Sequence, residues 1–351
     1  MPRKRVITAL ALTLAVATLG AACGNDDGAD VRNIGDECDG ASASASGSAS
    51  GTAESGSTSE TTAASGSESG SASGSGSASC PSGSGSTSGS GSGIADEVEG
   101  SSTDNPLVED AVAAYTTYVA EQVDQTIAAT TTFTDAVRAG DLEAAKAAYA
   151  PSRQGWERIE PIAGLVEEID TRVDARVDDF ANEDDPAFTG WHRLEYILFS
   201  LGTTDGGAPF ADQLDTDLQT LKTELEGIEI PPAALAVGSS ELIEEVSTGK
   251  ITGEEDRYSG TDLWDFAANV EGSQEAFELL EPALEAEDPD LVATIEGLFS
   301  ELDGQLAAYR DGAGGYQPYR ALTDDDKTAM QTTLAELSEN LATTAGVLGL
   351  E

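Results

Sequence analysis

Apolar residues recur every three or four positions after about residue 100, and this spacing predicts amphipathic helices. The first apolar stripe consists of Leu107, Val108, Ala111, Val112, Tyr115, Tyr118, Val119 and Val123. Gly140 follows that pattern and predicts where the helix ends, because glycine readily adopts the left-handed conformation that closes helices. We therefore expect one long helix that ends near Gly140.

Two further stripes lie towards the C-terminus. They consist of Leu291, Ile295, Leu298, Phe299, Leu302, Leu306 and Tyr309, and of Leu334, Leu337, Leu341 and Val347. Thr323-Asp324 precedes the second of these stripes and is typical of a helix cap. The prolines between the stripes indicate breaks between segments: Pro151, Pro161, Pro186, Pro209, Pro231 and Pro282. No run of alternating β-branched residues is evident, so the predicted fold class is all-α, with long antiparallel helices in one or two bundles.

The N-terminus has the pattern of an export signal, which we assign to residues 1–22. Arg3, Lys4 and Arg5 precede an apolar run that ends in small residues before Cys23. Cys23 follows Gly20-Ala21-Ala22 and resembles the lipidated cysteine of bacterial lipoproteins, although that pattern prefers Leu where Gly20 stands. The alternative is ordinary cleavage, which would release a soluble secreted protein.

Residues 41–93 are almost wholly Ser, Gly, Ala and Thr, and they offer no large apolar side chain for a core. We therefore interpret residues 23–100 as a lipid-anchored disordered tether and residues 101–351 as the folded all-α domain. Cys38 and Cys80 flank the Ser/Gly-rich stretch and either pair with each other or stay free or intermolecular. No cysteine follows Cys80, which excludes thiolate chemistry from the predicted domain.

The formal net charge of −48 excludes nucleic acid as a partner, because phosphate binding needs clustered Lys and Arg. The same charge excludes adsorption to an anionic membrane through a polybasic face. It is typical of a strongly solvated surface.

The chain has a single histidine, His192, which excludes zinc motifs that need two histidines one turn apart. His192 and Glu195 are three positions apart on a predicted helix, so both side chains leave the same face. Glu157 and Glu160 have the same spacing. Helix bundles build metal sites in this way, whereas the alternative for each pair is a hydrogen-bonded or solvated helix surface.

Asp170, Asp174 and Asp178 are spaced to share one helix face, and Glu254-Glu255-Asp256 forms another acidic group. Arginines lie close to these acids in the sequence: Arg158, Arg172, Arg176, Arg193 and Arg257. Buried ion pairs are therefore the main alternative to a metal site.

Four separated stretches resemble the imelysin-like family, in particular its EfeO/EfeM branch. They are Ala148–Arg153, Glu157–Pro161, the Gly-x-His-x-x-Glu motif at Gly190–Glu195, and Lys250–Ser259 with Thr261–Phe266 after it. The resemblance implies a helical, exported iron-uptake component that works with a membrane permease and a haem-dependent peroxidase. With the tether in place of a cupredoxin domain, the chain resembles the short, EfeM-like form, anchored to the membrane of the cell envelope.

The resemblance also implies the metal ligands. The His-x-x-Glu pair falls on His192 and Glu195, and the acidic cluster of the family falls on Glu157, Glu160, Asp174 and Glu255. We expect these side chains to converge in a cleft and bind iron, with manganese or zinc as alternatives. We also expect mutual repulsion to make the carboxylates hold protons more tightly than free Asp or Glu.

One departure from the family pattern is Gly260, where the family usually has a histidine. This departure puts the metal affinity or selectivity of the site in question. The family also carries a peptidase label, but no second histidine or activated nucleophile supports hydrolysis here. A non-enzymatic iron-binding component is therefore the main hypothesis. The alternatives are a metallopeptidase and a surface domain that binds a polymer or another protein.

If Cys23 is the lipidated N-terminus of the mature protein, the Cys23→Ser chain should leave the membrane fraction, because the acyl chains are its anchor. Fractionation of cells that express each form measures this. A Cys23→Ser chain that still partitions wholly into membranes would contradict the assignment.

Overall fold

The structure, a computed structural model, describes residues 94–98 and 100–350. The predicted signal peptide (1–22), Cys23, Cys38, Cys80 and the Ser/Gly-rich stretch 41–93 lie outside the described residues. The domain boundary near residue 100 therefore stays a prediction. Ile94 and Val98, on the N-terminal side of that boundary, are both buried in the apolar core.

The described residues form α-helices connected by turns, loops and short 3-10 segments. The helices are α1 (Ile94–Val98), α2 (Pro106–Ala139), α3 (Leu142–Glu157), α4 (Glu167–Val173), α5 (Gly190–Glu195), α6 (Ala208–Leu225), α7 (Pro232–Thr248), α8 (Asp262–Glu287), α9 (Pro289–Ala307), α10 (Asp324–Leu341) and α11 (Thr344–Leu348). Short 3-10 segments are Glu160–Val166, Val177–Asp179, Lys250–Thr252 and Tyr319–Ala321, and Tyr196–Ser200 is a π-helical turn.

The all-α prediction is confirmed. The part of the chain that the structure describes has no β-strand, and its β-type pairing is limited to an isolated bridge between Arg310 and Tyr316. Within the same residues, no helix is both long enough and apolar enough to cross a membrane.

Local signals in the sequence explain where the long helices begin and end. The Asn105 side chain accepts the backbone N–H of Leu107 at 3.0 Å, and Pro106 opens α2. Gly140 closes α2 with φ 74°, in the left-handed region. The hydroxyl of Thr323 accepts the backbone N–H of Asp326 at 3.2 Å, which confirms the predicted cap of α10.

Two groups of helices share one core. Helix α2 packs against α3 and α6, while α7 packs against α8 and α10, and α9 packs against α8 and α10. Helix α8 also contacts α2 and α3, so it joins the two groups. Because only Gly140 and Asp141 separate α2 from α3, these two helices form an antiparallel hairpin. Trp156 and Trp191 are the largest fully buried side chains, and they lie beside the candidate site.

Some predicted boundaries were wrong. Pro151 lies inside α3 and Pro282 lies inside α8, although both were interpreted as breaks. Tertiary packing overrides the local preference there, because each helix presents buried residues on both sides of its proline. Val347 belongs to the separate short helix α11 rather than to α10.

Two glycines let helices α7 and α8 press directly on the backbone between Arg158 and Pro161. A Cβ on Gly238 would lie 1.9 Å from the Pro161 carbonyl oxygen. A Cβ on Gly272 would lie 2.1 Å from the Arg158 carbonyl oxygen. This segment joins Glu157 to Glu160, so both contacts fix the backbone that carries two of the candidate ligands.

We predict that Gly272→Ala lowers the free energy of unfolding by about 1–3 kcal/mol, because the added methyl group has no space. The matched control is Gly304→Ala in α9, where a Cβ meets no atom within 4 Å. The control should raise stability by about 0.5–1 kcal/mol, since alanine favours the helix interior. Thermal and denaturant unfolding measure both changes, and equal effects at the two positions would contradict the packing argument.

Candidate metal site

The six residues predicted as ligands are all buried in the structure. Glu157 ends α3, Glu160 begins the following 3-10 segment, and Asp174 directly follows α4. His192 and Glu195 lie in α5, as predicted, and Glu255 lies in the loop before α8. Five separate segments therefore supply the candidate residues.

The expected pairing of Glu157 and Glu160 on one helix was wrong, because α3 ends at Glu157 and a tighter 3-10 segment begins at Glu160. The common face predicted for three aspartates was wrong as well. Asp170 lies inside α4, Asp174 directly follows this helix, and both are buried, whereas the side chain of Asp178 lies on another segment and is 51% exposed.

The start of α5 brings His192 close to Asp174. Gly190 has φ 73°, and a Cβ at this position would lie 2.1 Å from the carbonyl oxygen of Val173. Only glycine suits both the left-handed backbone and the close approach. The glycine that opens the Gly-x-His-x-x-Glu motif, Gly190, therefore holds α5 against the residue that precedes Asp174.

A fully buried arginine, Arg153, lies at the centre of the cluster. Its guanidinium donates to Asp174 and to Glu157, and it lies 3.2 Å from Glu255 and 3.2 Å from Asp265. Sequence spacing gave no sign of this role, since only Glu157 is close to Arg153 along the chain. The one available signal was the position of Arg153 within a stretch that resembles the family.

Lys250 is a second buried cation, with 2% of its side chain exposed. Its Nζ lies 2.6 Å from Glu160 Oε2 and 3.2 Å from Glu157 Oε2. The side-chain amide of Asn269 donates to the same two carboxylates, at 3.0 Å to Glu157 and 2.6 Å to Glu160. Glu157 and Glu160 thus converge as predicted, but on an ammonium group.

The arginines close to the acids in the sequence mostly pair elsewhere. Arg176 does reach the cluster, with Nη1 2.7 Å from Glu255 Oε2. The others lie outside it: Arg158 pairs with Glu271, Arg172 with Asp217 and Arg257 with Asp178, while Arg193 packs on the rings of Phe188, Tyr196 and Phe210.

The imidazole of His192 has carboxylates on both sides. Nε2 lies 3.6 Å from Asp174 Oδ1 and 3.5 Å from Glu255 Oε1. Nδ1 lies 3.3 Å from Glu195 Oε2 and 3.9 Å from Asp256 Oδ1. The ligand atoms of Asp174, His192 and Glu255 all lie within 4.8 Å of one another, as do those of His192, Glu195 and Asp256.

Burial raises the pKa of the Glu157, Glu160 and Glu195 carboxyl groups above their usual range. These groups therefore hold protons more tightly, as predicted, but burial rather than mutual repulsion is the main cause. Asp174 and Glu255 differ from the prediction. Burial acts to raise their pKa values too, but neighbouring cations outweigh it and hold both pKa values below the usual range.

The pKa of His192 is also shifted. Burial and the Arg153 guanidinium both disfavour the charged imidazole, but the carboxylates of Glu195, Glu255 and Asp174 outweigh them. The net result raises the pKa of His192 to about 9. The imidazole is therefore protonated at neutral pH, and a metal ion must displace that proton in order to bind.

The family model described as Imelysin, whose label is Peptidase_M75, matches residues 111–344. The chain belongs to the imelysin family. The matched residues include all six candidate ligands together with Arg153 and Lys250.

Curated relatives within the imelysin family are named as iron-uptake components. The chain is 48% identical over 242 residues to the "Iron uptake system component EfeO" of Escherichia coli O157:H7. It has the same identity to proteins of that name from Escherichia coli K12 and Shigella flexneri. The alignment covers 69% of this chain and 64% of each relative, so the chain spans less than two thirds of the relatives' length.

Gly260, the position named above as a departure from the family resemblance, has φ 69°. Its N–H donates to the Asp256 carbonyl at 2.6 Å, and its carbonyl accepts the N–H of Tyr319 at 2.9 Å. A Cβ built on Gly260 meets no atom within 4 Å. The Cβ of a side chain at this position would therefore contact no neighbouring atom.

We predict that Lys250→Met destabilises this imelysin-family domain by about 3–5 kcal/mol, since Glu157 and Glu160 lose their buried counter-ion. The loss should shrink as the pH falls, because protonated Glu157 and Glu160 need no cation. Denaturant unfolding at several pH values measures the effect.

The matched control is Lys222→Met, because Lys222 Nζ also lies 2.6 Å from a carboxylate, that of Asp124, but both side chains are exposed. This change should leave the melting temperature nearly unaltered, as exposed ion pairs stabilise little. A Lys250→Met domain that is as stable as the control would show that Lys250 is not the counter-ion of the two carboxylates.

Proposed function

We propose that this protein is the iron-binding component of an iron-uptake system and that it binds its cargo through the His192 and carboxylate cluster. The observation that carries the proposal is the buried Nε2 atom of His192, which has no hydrogen-bond partner among the described residues. This atom faces Asp174 and Glu255. The printed name of the relatives, an iron uptake system component, supports iron as the cargo.

The composition of the cluster suits iron. Carboxylate oxygens with one imidazole form a hard to borderline ligand set, which favours Fe, Mn or Zn over soft ions such as Cu(I). Binding replaces a proton on His192, so the site competes with protons for the ion. A carrier that has to release its cargo benefits from such competition, because protonation lowers its affinity.

The rest of the function rests on the resemblance and on the N-terminal sequence. We infer that residues 1–22 direct export, that Cys23 carries the lipid anchor and that residues 23–100 tether the domain beyond the membrane. Iron would then pass from this domain to a permease, in a system that also includes a haem-dependent peroxidase. In this role the protein is a carrier rather than an enzyme.

One alternative has support from a specific observation. Arg153 and Lys250 occupy many of the carboxylate oxygens of the cluster, which favours a purely structural network in a domain that binds a polymer or another protein. Metal titration separates this alternative from the proposal. The metallopeptidase alternative requires turnover of a peptide at saturating metal, which a protease assay measures directly.

We expect His192→Ala to weaken the binding of ferrous iron more than about 100-fold, because losing a ligand costs more affinity than losing a residue that only orients a ligand. Anaerobic isothermal titration of the full-length protein measures this. The matched control is Asp217→Asn: Asp217 is also buried and pairs with Arg172 at 3.3 Å, outside the cluster.

The same titrations, repeated in buffers of different ionisation enthalpy, count the protons released on binding. The wild-type affinity should rise about tenfold per pH unit from the displacement of the His192 proton alone, up to the pKa of about 9. His192→Ala should release about one proton fewer. If the Asp217→Asn and His192→Ala proteins bind iron equally well, the proposed site is wrong.

A further inference from the structure

The buried cluster can exchange with solvent only if part of the protein moves, because the side chains of His192, Glu195 and Glu255 are at most 4% exposed. Segments outside the helices open most readily, since fewer buried contacts and backbone hydrogen bonds hold them. The loop before α8 (residues 253–261) is such a segment, and it carries Glu255. Residues 310–322, between α9 and α10, form a second segment that lies against this loop. We call residues 310–322 the cover.

The cover is a short excursion of the chain that rests on the start of α8. An antiparallel bridge between Arg310 and Tyr316 closes it at its base, and residues 311–314 at its tip are exposed. On its inner side, a Cβ on Gly315 would lie 2.0 Å from Cζ2 of Trp264, the third residue of α8. The cover is therefore packed on α8 at one point, while most of its residues face solvent.

Tyr319 of the cover bridges the two ends of the loop before α8. Its hydroxyl donates to the Ile251 carbonyl at 2.9 Å, and its backbone N–H donates to the Gly260 carbonyl at 2.9 Å. Glu255 and Asp256, both buried in the cluster, lie between these two carbonyls in the chain. One residue of the cover thus fixes the loop that supplies part of the cluster.

The ring of Tyr319 packs against Gly253, which has φ 84°. A Cβ on Gly253 would lie 2.2 Å from Cε1 of the ring, so only glycine suits both the left-handed backbone and the contact. The ammonium group of Lys327 lies 4.5 Å from the ring centroid. Tyr319 is only partly buried, and two hydrogen bonds with a partly solvated cation–π contact are weak compared with a helix packed in the core.

We propose that the cover opens and closes the route by which iron reaches the buried cluster, and that Tyr319 is the positioning residue that closes it. With Tyr319 in place, the loop before α8 is fixed at both ends and keeps Glu255 and Asp256 inside. When Tyr319 moves away, the loop loses both hydrogen bonds at once and the cluster is accessible from this side. The proposal rests on the proposed function, because it requires that an ion enters the cluster.

Such a gate has a kinetic signature that distinguishes Tyr319 from a ligand. Opening precedes both the entry and the exit of the ion. A change that raises the population of the open state therefore speeds binding and release by the same factor and leaves Kd unaltered. Loss of a ligand raises Kd, mainly because release becomes faster.

Hydrogen–deuterium exchange of the metal-free, full-length protein tests the contact itself. Tyr319→Phe removes the hydroxyl and keeps the ring, so the backbone amides of residues 252–260 should exchange about 2–10-fold faster, the effect of losing one hydrogen bond. The amides of α2 should exchange as in the wild type. The matched control is Tyr309→Phe, which removes a hydroxyl that donates to Asp326 at 2.5 Å rather than to this loop.

Stopped-flow mixing with ferrous iron, under anaerobic conditions, tests the role of the contact. Tryptophan fluorescence reports binding, because Trp156 and Trp191 are buried beside the cluster, and capture by a chelator reports release. Tyr319→Phe should raise both rates by the same factor, about 2–10-fold, with Kd within about twofold of the wild type. Lys327→Met leaves the hydrogen bonds of Tyr319 in place and should raise both rates by about 2–5-fold.

The outcomes separate this proposal from the proposed function. Faster exchange in the loop, together with equal acceleration of iron binding and release, supports it. A Tyr319→Phe loop that exchanges like the wild type, or a faster loop with unaltered iron rates, overturns it and leaves iron binding in place. A wild-type protein that binds no iron overturns the proposed function itself, and the proposed role of the cover with it.

Discussion

A guanidinium group with no exposed surface imposes the strictest condition on this fold. Arg153 is always charged, and a buried charge is tolerated only when it is paired and its N–H donors have acceptors. The acceptors come from α3, from the end of α4, from the loop before α8 and from α8 itself. Those segments must therefore meet at one point, and the carboxylates that face His192 are held in place by the same requirement.

Much of the helical framework could be predicted from the sequence, because its signals are local. The α2 stripe, Gly140 and the Thr323 cap each act within a few residues, and the structure has them as expected. The spacing of His192 and Glu195 placed both on α5 for the same reason. The break between Glu157 and Glu160 has a local signal in Pro161, because proline disfavours helical backbone at the residue before it. The close packing of Gly238 and Gly272 against this segment comes from distant helices and could not be predicted.

The ion pairs also include contacts between distant residues, for which the sequence has no local signal. Arg172 and Arg257 lie near the acidic cluster in the sequence, yet they pair with Asp217 and Asp178 outside it. Lys250 pairs with Glu160, which is 90 positions away. The periodic spacing of residues in a single sequence does not encode a contact at that distance. Arg153 and Lys250 could therefore not be assigned a role from the sequence. The chain has 17 Lys and Arg against 65 Asp and Glu, yet Arg153, Arg176 and Lys250 are all buried at this cluster.

The long separation between contacting residues also affects how the protein folds. Arg153 meets Glu255 across 102 positions and Asp265 across 112 positions, so the cluster closes only when distant parts of the chain come together. Such contacts lose more loop entropy and form later than the turns within a helix. A chain still in an extended state has all of these side chains but not their cluster, so any property that needs them together arises only after the distant helices have packed.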